Sequence, residues 1–443
     1  MTADTGSRGL VSRIYANLIR LLGGKAGSAV LGLGYMVIAT HALGPTDYGV
    51  LVLVHGFAMT VGGIVEFPGW HAIVRYGAQA LAEDDHPRML RLLRFAGLVE
   101  GAGGICSIVA AAVLAPIIGP RLGWSQTAIA FAIPYSFAVL ASIRATPAGY
   151  LQLLGRFDLL GLHSLVPPAV RLIGAGIAAW FHLGLKAFLV AWLIAALAEW
   201  IVMWVLGIVA VRRTLRDPQL LGSARGALAE NPGLWRFMLA ANADVTLTEL
   251  AARIAPLFVG WVLGPAAAGL YAVAQRATVV IQQPAQIMGQ AAYAELARLV
   301  ANGGTGAQLR SALLRCAGVA IAVATPVLLI LAFFGREVAV ALGGHAFEGA
   351  AGLILLLAVA RTAWLVAPPA SSALTALGRP TLSVAANLAI NLGLLPLLPL
   401  MMLWIGLEGA GWHAILQGVG ASALLLVMVM RQTRDPAART ALA

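Results

Sequence analysis

The sequence predicts an all-α, polytopic membrane protein of about twelve transmembrane helices, arranged as two parallel six-helix repeats. Three observations lead there. First, 60% of the 443 residues are hydrophobic and 11% charged, whereas an ordinary soluble domain carries roughly 25% charge. Second, the chain echoes itself. Leu43-Gly44-Pro45 recurs as Leu263-Gly264-Pro265, Leu154-Gly155-Arg156 as Leu377-Gly378-Arg379, and Leu183-Gly184-Leu185 in part as Ile405-Gly406-Leu407, at offsets of 220, 223 and 222 residues. Three collinear echoes near half the chain length indicate a duplication. Third, Lys and Arg are unevenly spread over the segments between apolar runs, as in a chain that crosses a bilayer repeatedly.

A helix needs about 20 apolar residues to cross the hydrocarbon core. On that basis the spans fall at about 18–41, 47–69, 95–117, 124–145, 158–180 and 187–210 in the first half, and at about 236–262, 268–291, 313–334, 350–375, 381–403 and 409–430 in the second. The domains that follow are an N-terminal lobe, 1–211, a basic cytoplasmic linker, 212–235, and a C-terminal lobe, 236–443. Gly44-Pro45 and Gly264-Pro265 end one helix and turn sharply into the next.

The charge distribution tests the span count. Seventeen arginines lie in segments on one side (Arg8, Arg13, Arg75, Arg88, Arg91, Arg94, Arg156, Arg212, Arg213, Arg216, Arg225, Arg298, Arg310, Arg379, Arg431, Arg434 and Arg439), and only Arg121, Lys186 and Arg336 on the other. This places both termini in the cytoplasm, and an even number of spans, which puts both ends on one side, agrees. Six spans per half is also even, so the repeats share one orientation. The net charge of +11 is then a topology signal rather than a nucleic-acid footprint. No nucleic-acid partner and no metal are expected, and no external loop is long enough for a soluble catalytic domain.

Two segments imitate other chemistry. Glu83-Asp84-Asp85-His86 has metal-ligand residues but reads as a solvated cytoplasmic turn. Gly23-Gly24-Lys25-Ala26-Gly27-Ser28 lacks the first glycine of a phosphate loop, and Gly24, Ser28 and Gly32 read as a close-packing face. Cys106 and Cys316 lie in apolar runs and read as buried, inert thiols. Arg20, Arg144, Arg236 and Arg315 lie near span ends, where they can snorkel.

Lys25, Arg171, Arg253, Arg276 and Arg361 sit deeper, where a charge is costly unless it meets a partner or a wet cavity. These are the candidate cationic ligands. Asn242, Thr246, Glu249 and Arg253 fall within about a 60° arc of one helix, and Glu249 and Arg253 can pair. On the next span Arg276, Gln283 and Gln290 recur every seven residues, with Gln275, Gln282 and Gln286 beside them and Pro284 bending the helix. Asn242, Thr246, Glu249, Gln283, Gln286 and Gln290 are the candidate polar lining. Asp244, Glu66 and Glu199 are candidates for coupling or gating, Asp244 as the repeat counterpart of Lys25.

The Leu-Gly-Pro-Thr-Asp-Tyr-Gly turn at 43–49, the two Leu-Gly-Arg turns and Gly406-Leu407-Glu408-Gly409-Ala410 resemble the polysaccharide transporter (Wzx-type flippase) branch of the multidrug/oligosaccharidyl-lipid/polysaccharide exporter superfamily. The resemblance implies two lobes around a central V-shaped cavity of MATE-like fold. It also implies flipping of undecaprenyl-diphosphate-linked oligosaccharides across the bacterial inner membrane, for O-antigen, capsule or exopolysaccharide. It further implies a cationic cavity, for which Lys25, Arg253 and Arg276 fit. No organic cofactor is expected; either H+ or Na+ couples through the acids, or the cargo's own gradient suffices. Membrane lipids, a polysaccharide polymerase and a chain-length regulator are the expected partners. A cation-coupled multidrug exporter of the same fold is the rival, and a membrane glycosyltransferase or polymerase a more distant one.

Overall fold

The computed structural model describes residues 4–65, 69–215, 222–282, 296, 298–300 and 305–434. Among them every regular element is helical. Among the described residues, nine stretches are long and apolar enough to cross a membrane. The first, Gly23–Ile64, covers two of the expected spans. It lies inside a helix, α1 (Asp4–Val65), that bends at Gly44, whose φ of 69° and ψ of 179° are not helical. With no peptide carbonyl left to water inside a bilayer, helices are the only open-chain solution.

The first half continues as α2 (Gly69–Ala82), α3 (His86–Ile118), α4 (Gln126–Tyr135), α5 (Ala145–Leu153), α6 (Phe157–His163), α7 (Val166–Trp180) and α8 (Gly184–Leu215). The sequence reading placed a loop at 70–94, and α2 corrects it. Gly69, Ala72, Ile73, Gly77 and Ala80 bury one face at three- and four-residue spacing, so a helix too short to span packs beneath its neighbours. The acidic turn that follows starts α3. Asp85 accepts from the Arg88 amide at 2.9 Å, Glu83 pairs with Arg88 at 2.9 Å and Asp84 with His86 at 3.2 Å.

Between the halves, α9 (Ala227–Glu230) precedes α10 (Leu234–Leu263). The second half runs through α11 (Pro265–Thr278), α12 (Gly306–Phe333), α13 (Gly335–Gly343), α14 (Ala351–Trp364), α15 (Ala367–Ala376), α16 (Pro380–Gly393), α17 (Leu397–Ile405) and α18 (Leu407–Arg434). The expected span at 236–262 is helical throughout, and it includes an apolar stretch at Ala252–Leu263. The span expected at 268–291 is described only to residue 282.

The duplication is visible in the backbone. Gly44 and Gly264 share one conformation, φ 69° and ψ 179° against φ 85° and ψ 174°. Gly155 and Gly378 end their helices with the same hydrogen bonds: Arg156 N to Leu151 O and Arg379 N to Leu374 O, both 2.9 Å, with Gly155 N to Gln152 O at 2.9 Å and Gly378 N to Thr375 O at 3.0 Å. That pattern is the Schellman cap. Gly184 and Gly406 complete the third echo with φ of 67° and 63°. A fourth pair, Gly123 and Gly344, has φ of 72° and 80° and no surrounding motif that sequence could match.

Contacts group the chain into two compact units, residues 1–43 with 50–253, and residues 44–49 with 254–443. The division cuts α10 at Arg253, whereas the repeat boundary read from sequence lies on the charged stretch before that helix. Unit 1 has a core including Ile73, Met89, Leu92, Tyr150, Leu151 and Met203, and unit 2 one including Leu309, Leu313, Leu374, Leu425 and Val429. Small residues set the spacing: a Cβ on Gly24 would lie 2.3 Å from Gly161 O, and one on Gly418 2.4 Å from Ala360 O. Cys106 is exposed rather than buried, because it lies on an outward apolar face of α3.

Candidate functional site

Unit 1 holds a guanidinium in an aromatic box. Arg171, on α7, lies 4.5 Å from the Trp192 ring centroid and 5.7 Å from that of Tyr35. Its Nη1 donates to Tyr35 Oη at 3.4 Å and its Nη2 to His55 Nε2 at 3.0 Å. Arginine has no acceptor, so His55 Nε2 must accept, its proton sits on Nδ1, and Nδ1 donates to Tyr135 Oη at 2.9 Å. The Trp192 and His55 rings meet edge-on at 5.1 Å. Arg171 Nε is buried with no hydrogen-bond partner, and among the described residues no carboxylate pairs with the side chain. The box thus carries a net positive charge stabilised by ring faces.

Nearby polar groups of unit 1 neutralise one another. Arg144 Nη1 pairs with Glu199 Oε1, and His163 Nε2 donates to the Glu199 carbonyl at 2.9 Å. Arg144 was expected to snorkel from a span end. It instead turns inward, because α4 breaks into a 3-10 turn at Ser136–Ser142 and Arg144 caps the next helix. Glu100, 3% exposed, accepts from the amides of Ala145 and Thr146 at the start of α5, the second at 2.9 Å. A carboxylate there satisfies orphan N–H groups and opposes the helix dipole.

A third polar seam joins α10 to the later part of α1, again within unit 1. Arg253 Nη1 donates to Met59 O at 3.2 Å, Thr60 Oγ1 to Arg253 O at 3.4 Å and Thr246 Oγ1 to Gly63 O at 3.4 Å. Gly63 leaves room for the guanidinium, since a Cβ there would lie 1.7 Å from Arg253 Nη1. Two members of the predicted polar stripe therefore meet α1 carbonyls.

In unit 2, Arg361 Nη1 donates to Gln282 Oε1 at 2.6 Å and Nη2 to Gln275 O at 3.3 Å, while Gln275 Nε2 donates to Tyr271 Oη at 3.1 Å. Like Arg171, Arg361 has no carboxylate partner among the described residues. Arg276 is half-buried on α11, and Lys25 is exposed on α1. Asn242 is half-buried on α10. Gln283, Gln286, Gln290 and Glu66 lie outside the described residues, as do the side chains of Asp244 and Glu249.

Of the five predicted cationic ligands, Arg171 and Arg361 emerge as cations held by neutral groups. Sequence reasoning missed Tyr35, His55, Tyr135 and Trp192. Aromatic and His side chains on apolar helices carry no pattern distinct from core packing, and only the depth of Arg171 pointed to a box around it.

Residues 42–351 match the family pattern described as polysaccharide biosynthesis protein. The inner membrane protein YghQ of Escherichia coli (strain K12) is 29% identical over 276 residues, 61% of this chain and 77% of its own. Among solved structures, the lipid II flippase MurJ in an inward closed conformation is similar with a TM-score of 0.70 at 13% identity, over 92% of this chain and 86% of that chain. An inward-facing multidrug resistance MATE family transporter of the MOP superfamily is similar with a TM-score of 0.65 at 15% identity, over 96% and 95% of the two chains. Likeness at such identities establishes the fold alone: a polytopic membrane architecture like that of these two transporters, helical throughout the regular elements of the described residues.

Proposed function

We propose, from the premise that this chain belongs to the polysaccharide biosynthesis protein family, that it is a flippase of the bacterial inner membrane. Its cargo is an undecaprenyl-diphosphate-linked oligosaccharide, carried from the cytoplasmic to the periplasmic leaflet for a surface polysaccharide. Both termini lie in the cytoplasm. No bond is made or broken in the cargo, so the protein is a transporter and not an enzyme.

The observation that carries this reading is that two half-buried arginines, Arg171 and Arg361, are held by neutral groups. An uncompensated cation inside a membrane protein is retained for a reason. It attracts an anion, and guanidinium is the side chain best fitted to phosphate oxygens because it stays charged and donates in pairs. Lys25 and Arg253 in unit 1 and Arg276 in unit 2 are further candidate cations, with Asn242, Thr246, Glu249 and the glutamines of 283–290 as candidate polar lining. Alternating access by the two repeats moves the head group, driven by H+ or Na+ acting through Asp244, Glu66 or Glu199. A polymerase and a chain-length regulator receive the product.

A cation-coupled drug exporter would need acids turned toward a cationic cargo. Glu100 and Glu199 are already engaged, by the start of α5 and by Arg144, which weighs against that reading.

The test is translocation of a fluorescent undecaprenyl-diphosphate oligosaccharide in proteoliposomes. Arg171→Gln and Arg361→Gln each lower the rate about tenfold or more, equivalent to at least about 1.4 kcal/mol, in protein that stays monodisperse. Arg171→Lys restores less than half, because ammonium lacks the planar fork and stacks poorly. A wild type that extrudes cationic dyes and flips no lipid overturns the proposal.

A further inference from the structure

One hydrogen bond in the aromatic box of unit 1 exists only while an imidazole is neutral. Arg171 Nη2 donates to His55 Nε2 at 3.0 Å, and Nε2 accepts only through its lone pair. A proton on Nε2 takes that lone pair and sets two donors against each other. Proton and arginine therefore compete for one atom.

The rest of the imidazole is held in the same way whichever of them wins. Nδ1 donates to Tyr135 Oη at 2.9 Å, and an imidazolium keeps that proton and that bond. The Tyr135 and Trp192 rings meet the imidazole edge-on, at 6.1 and 5.1 Å between centroids. Tyr135 and Trp192 are 1% and 4% exposed, whereas Tyr35, His55 and Arg171 are half-buried, so the accessible side of the box belongs to these three. Arg171 uses two of its five donors, on Tyr35 and His55, and both acceptors are neutral. The titratable groups facing His55 are Tyr135 on α4, Arg171 on α7 and, through Arg171, Tyr35 on its own helix. From α8 comes the uncharged Trp192, and the Glu199 carboxylate of that helix is held by Arg144.

We propose, on the reading of Arg171 as a phosphate ligand, that His55 and Arg171 are a two-cation site for a phosphate-type oxyanion, whose binding takes up one proton at His55 Nε2. The anion accepts from the guanidinium, including the Nη2 hydrogen now given to His55. Nε2 is then left without its donor, a proton from water fills it, and the new N–H donates to a second oxygen of the anion. No bond within the anion changes. Without the anion the two cations would face each other at 3.0 Å, and with it between them the repulsion gives way to two attractions. Linkage is reciprocal, so the proton strengthens the anion by the factor by which the anion strengthens the proton. Affinity for the anion therefore rises as pH falls, by up to about tenfold per unit for one proton, and levels off once His55 is protonated in the empty site.

The test uses full-length protein in proteoliposomes with 15N-labelled histidine, read by solid-state NMR, and sulfate as the probe, because it does not titrate near neutral pH. The His55 signals are those missing from His55→Gln, whose side-chain carbonyl still accepts from Arg171 but takes no proton. Slightly above neutral pH, His55 should be neutral with its proton on Nδ1, and saturating sulfate should protonate both nitrogens. Sulfate affinity should follow the pH slope in the wild type and be weak and flat in His55→Gln. Arg171→Gln should abolish the sulfate-induced protonation. A neutral His55 in the sulfate-bound protein, or His55→Gln binding sulfate like the wild type at every pH, overturns the inference and leaves His55 as a prop for Arg171. Protonation that persists in Arg171→Gln, or no response to sulfate at all, overturns it too. Proton-linked sulfate binding by a protein that flips no lipid keeps the two-cation site and removes the cargo reading, whereas flipping with His55 neutral throughout does the reverse.

Discussion

Arg171 and Arg144 lie in the same unit, yet they answer the cost of a membrane charge in opposite ways. Arg171 is surrounded by rings and one imidazole, and a desolvated cation–π contact of its kind contributes about 2 kcal/mol. Arg144 is neutralised by Glu199, whose side chain is 13% exposed against 38% for the arginine. Removing one member of a buried pair costs about 3–5 kcal/mol, and the partial exposure of Arg144 brings that down to about 2 kcal/mol. Glu199→Gln and Arg144→Met should therefore each lower the midpoint of thermal unfolding in detergent. The double variant Arg144→Met/Glu199→Leu should recover most of the loss, since neither charge is then stranded. Additive losses in the double variant would show that the two side chains act separately. The depth of Arg171 and Arg361 was legible in the sequence because a charge in an apolar run is conspicuous. The Arg144–Glu199 pair was not, because the 3-10 break that redirects Arg144 has no Pro or Gly at the break itself, and the partners are 55 residues apart.

At the scale of the elements, the turns were the most legible part of the chain, and the reason is steric. A residue with positive φ is restricted almost to glycine, so a repeated turn leaves a repeated glycine, and three of the four matched pairs carry recognisable neighbours. Gly123 and Gly344 escaped because their flanking residues differ and so do their ψ angles, 25° against 177°. The two kinds of turn differ in their tolerance. Gly155 ends α5 in a cap whose left-handed conformation Asn also adopts, and Ala there should cost about 1–2 kcal/mol and Asn less. Gly44, with ψ of 179°, is in a region open almost only to glycine, where any side chain costs about 1–3 kcal/mol. A Cβ at either position meets nothing within 4 Å, so the penalty is backbone strain alone. Unfolding midpoints should fall in the order Gly155→Asn, Gly155→Ala, Gly44→Ala, with Gly44→Asn no better than Gly44→Ala. Rescue of Gly44 by Asn would mean that the bend relaxes into an ordinary left-handed turn. The same scale explains the missed α2 and the docked linker. Both read as charged loop, but α2 hides a small-residue face, and Asn231 and Glu230 bind Arg88 and Arg91 of α3 at 3.2 and 2.8 Å.

For the whole molecule, the spans were legible because hydropathy and the cost of unpaired backbone in lipid act on twenty residues at once. α10 carries polar residues within a continuous helix, and two of them, Thr246 and Arg253, hydrogen-bond to carbonyls of α1. Orientation rests on a separate physical signal, the retention of Lys and Arg on the cytoplasmic side. Seventeen basic residues against three is a bias that one or two misplaced helix ends cannot reverse. Reporter fusions test it directly. Alkaline phosphatase joined after Arg121 or Arg336 should be active and green fluorescent protein there dark, while fusions after Arg156, Arg225 and Ala443 should give the reverse. Because each half contributes an even number of spans, fusions after Arg156 and Arg379, which occupy equivalent repeat turns, must report the same side. Opposite reporters at those two positions would mean that the halves are inverted, and the parallel-repeat mechanism would fall with them. Matching reporters on the periplasmic side would instead keep the repeat and reverse the direction in which its arginines meet the cargo.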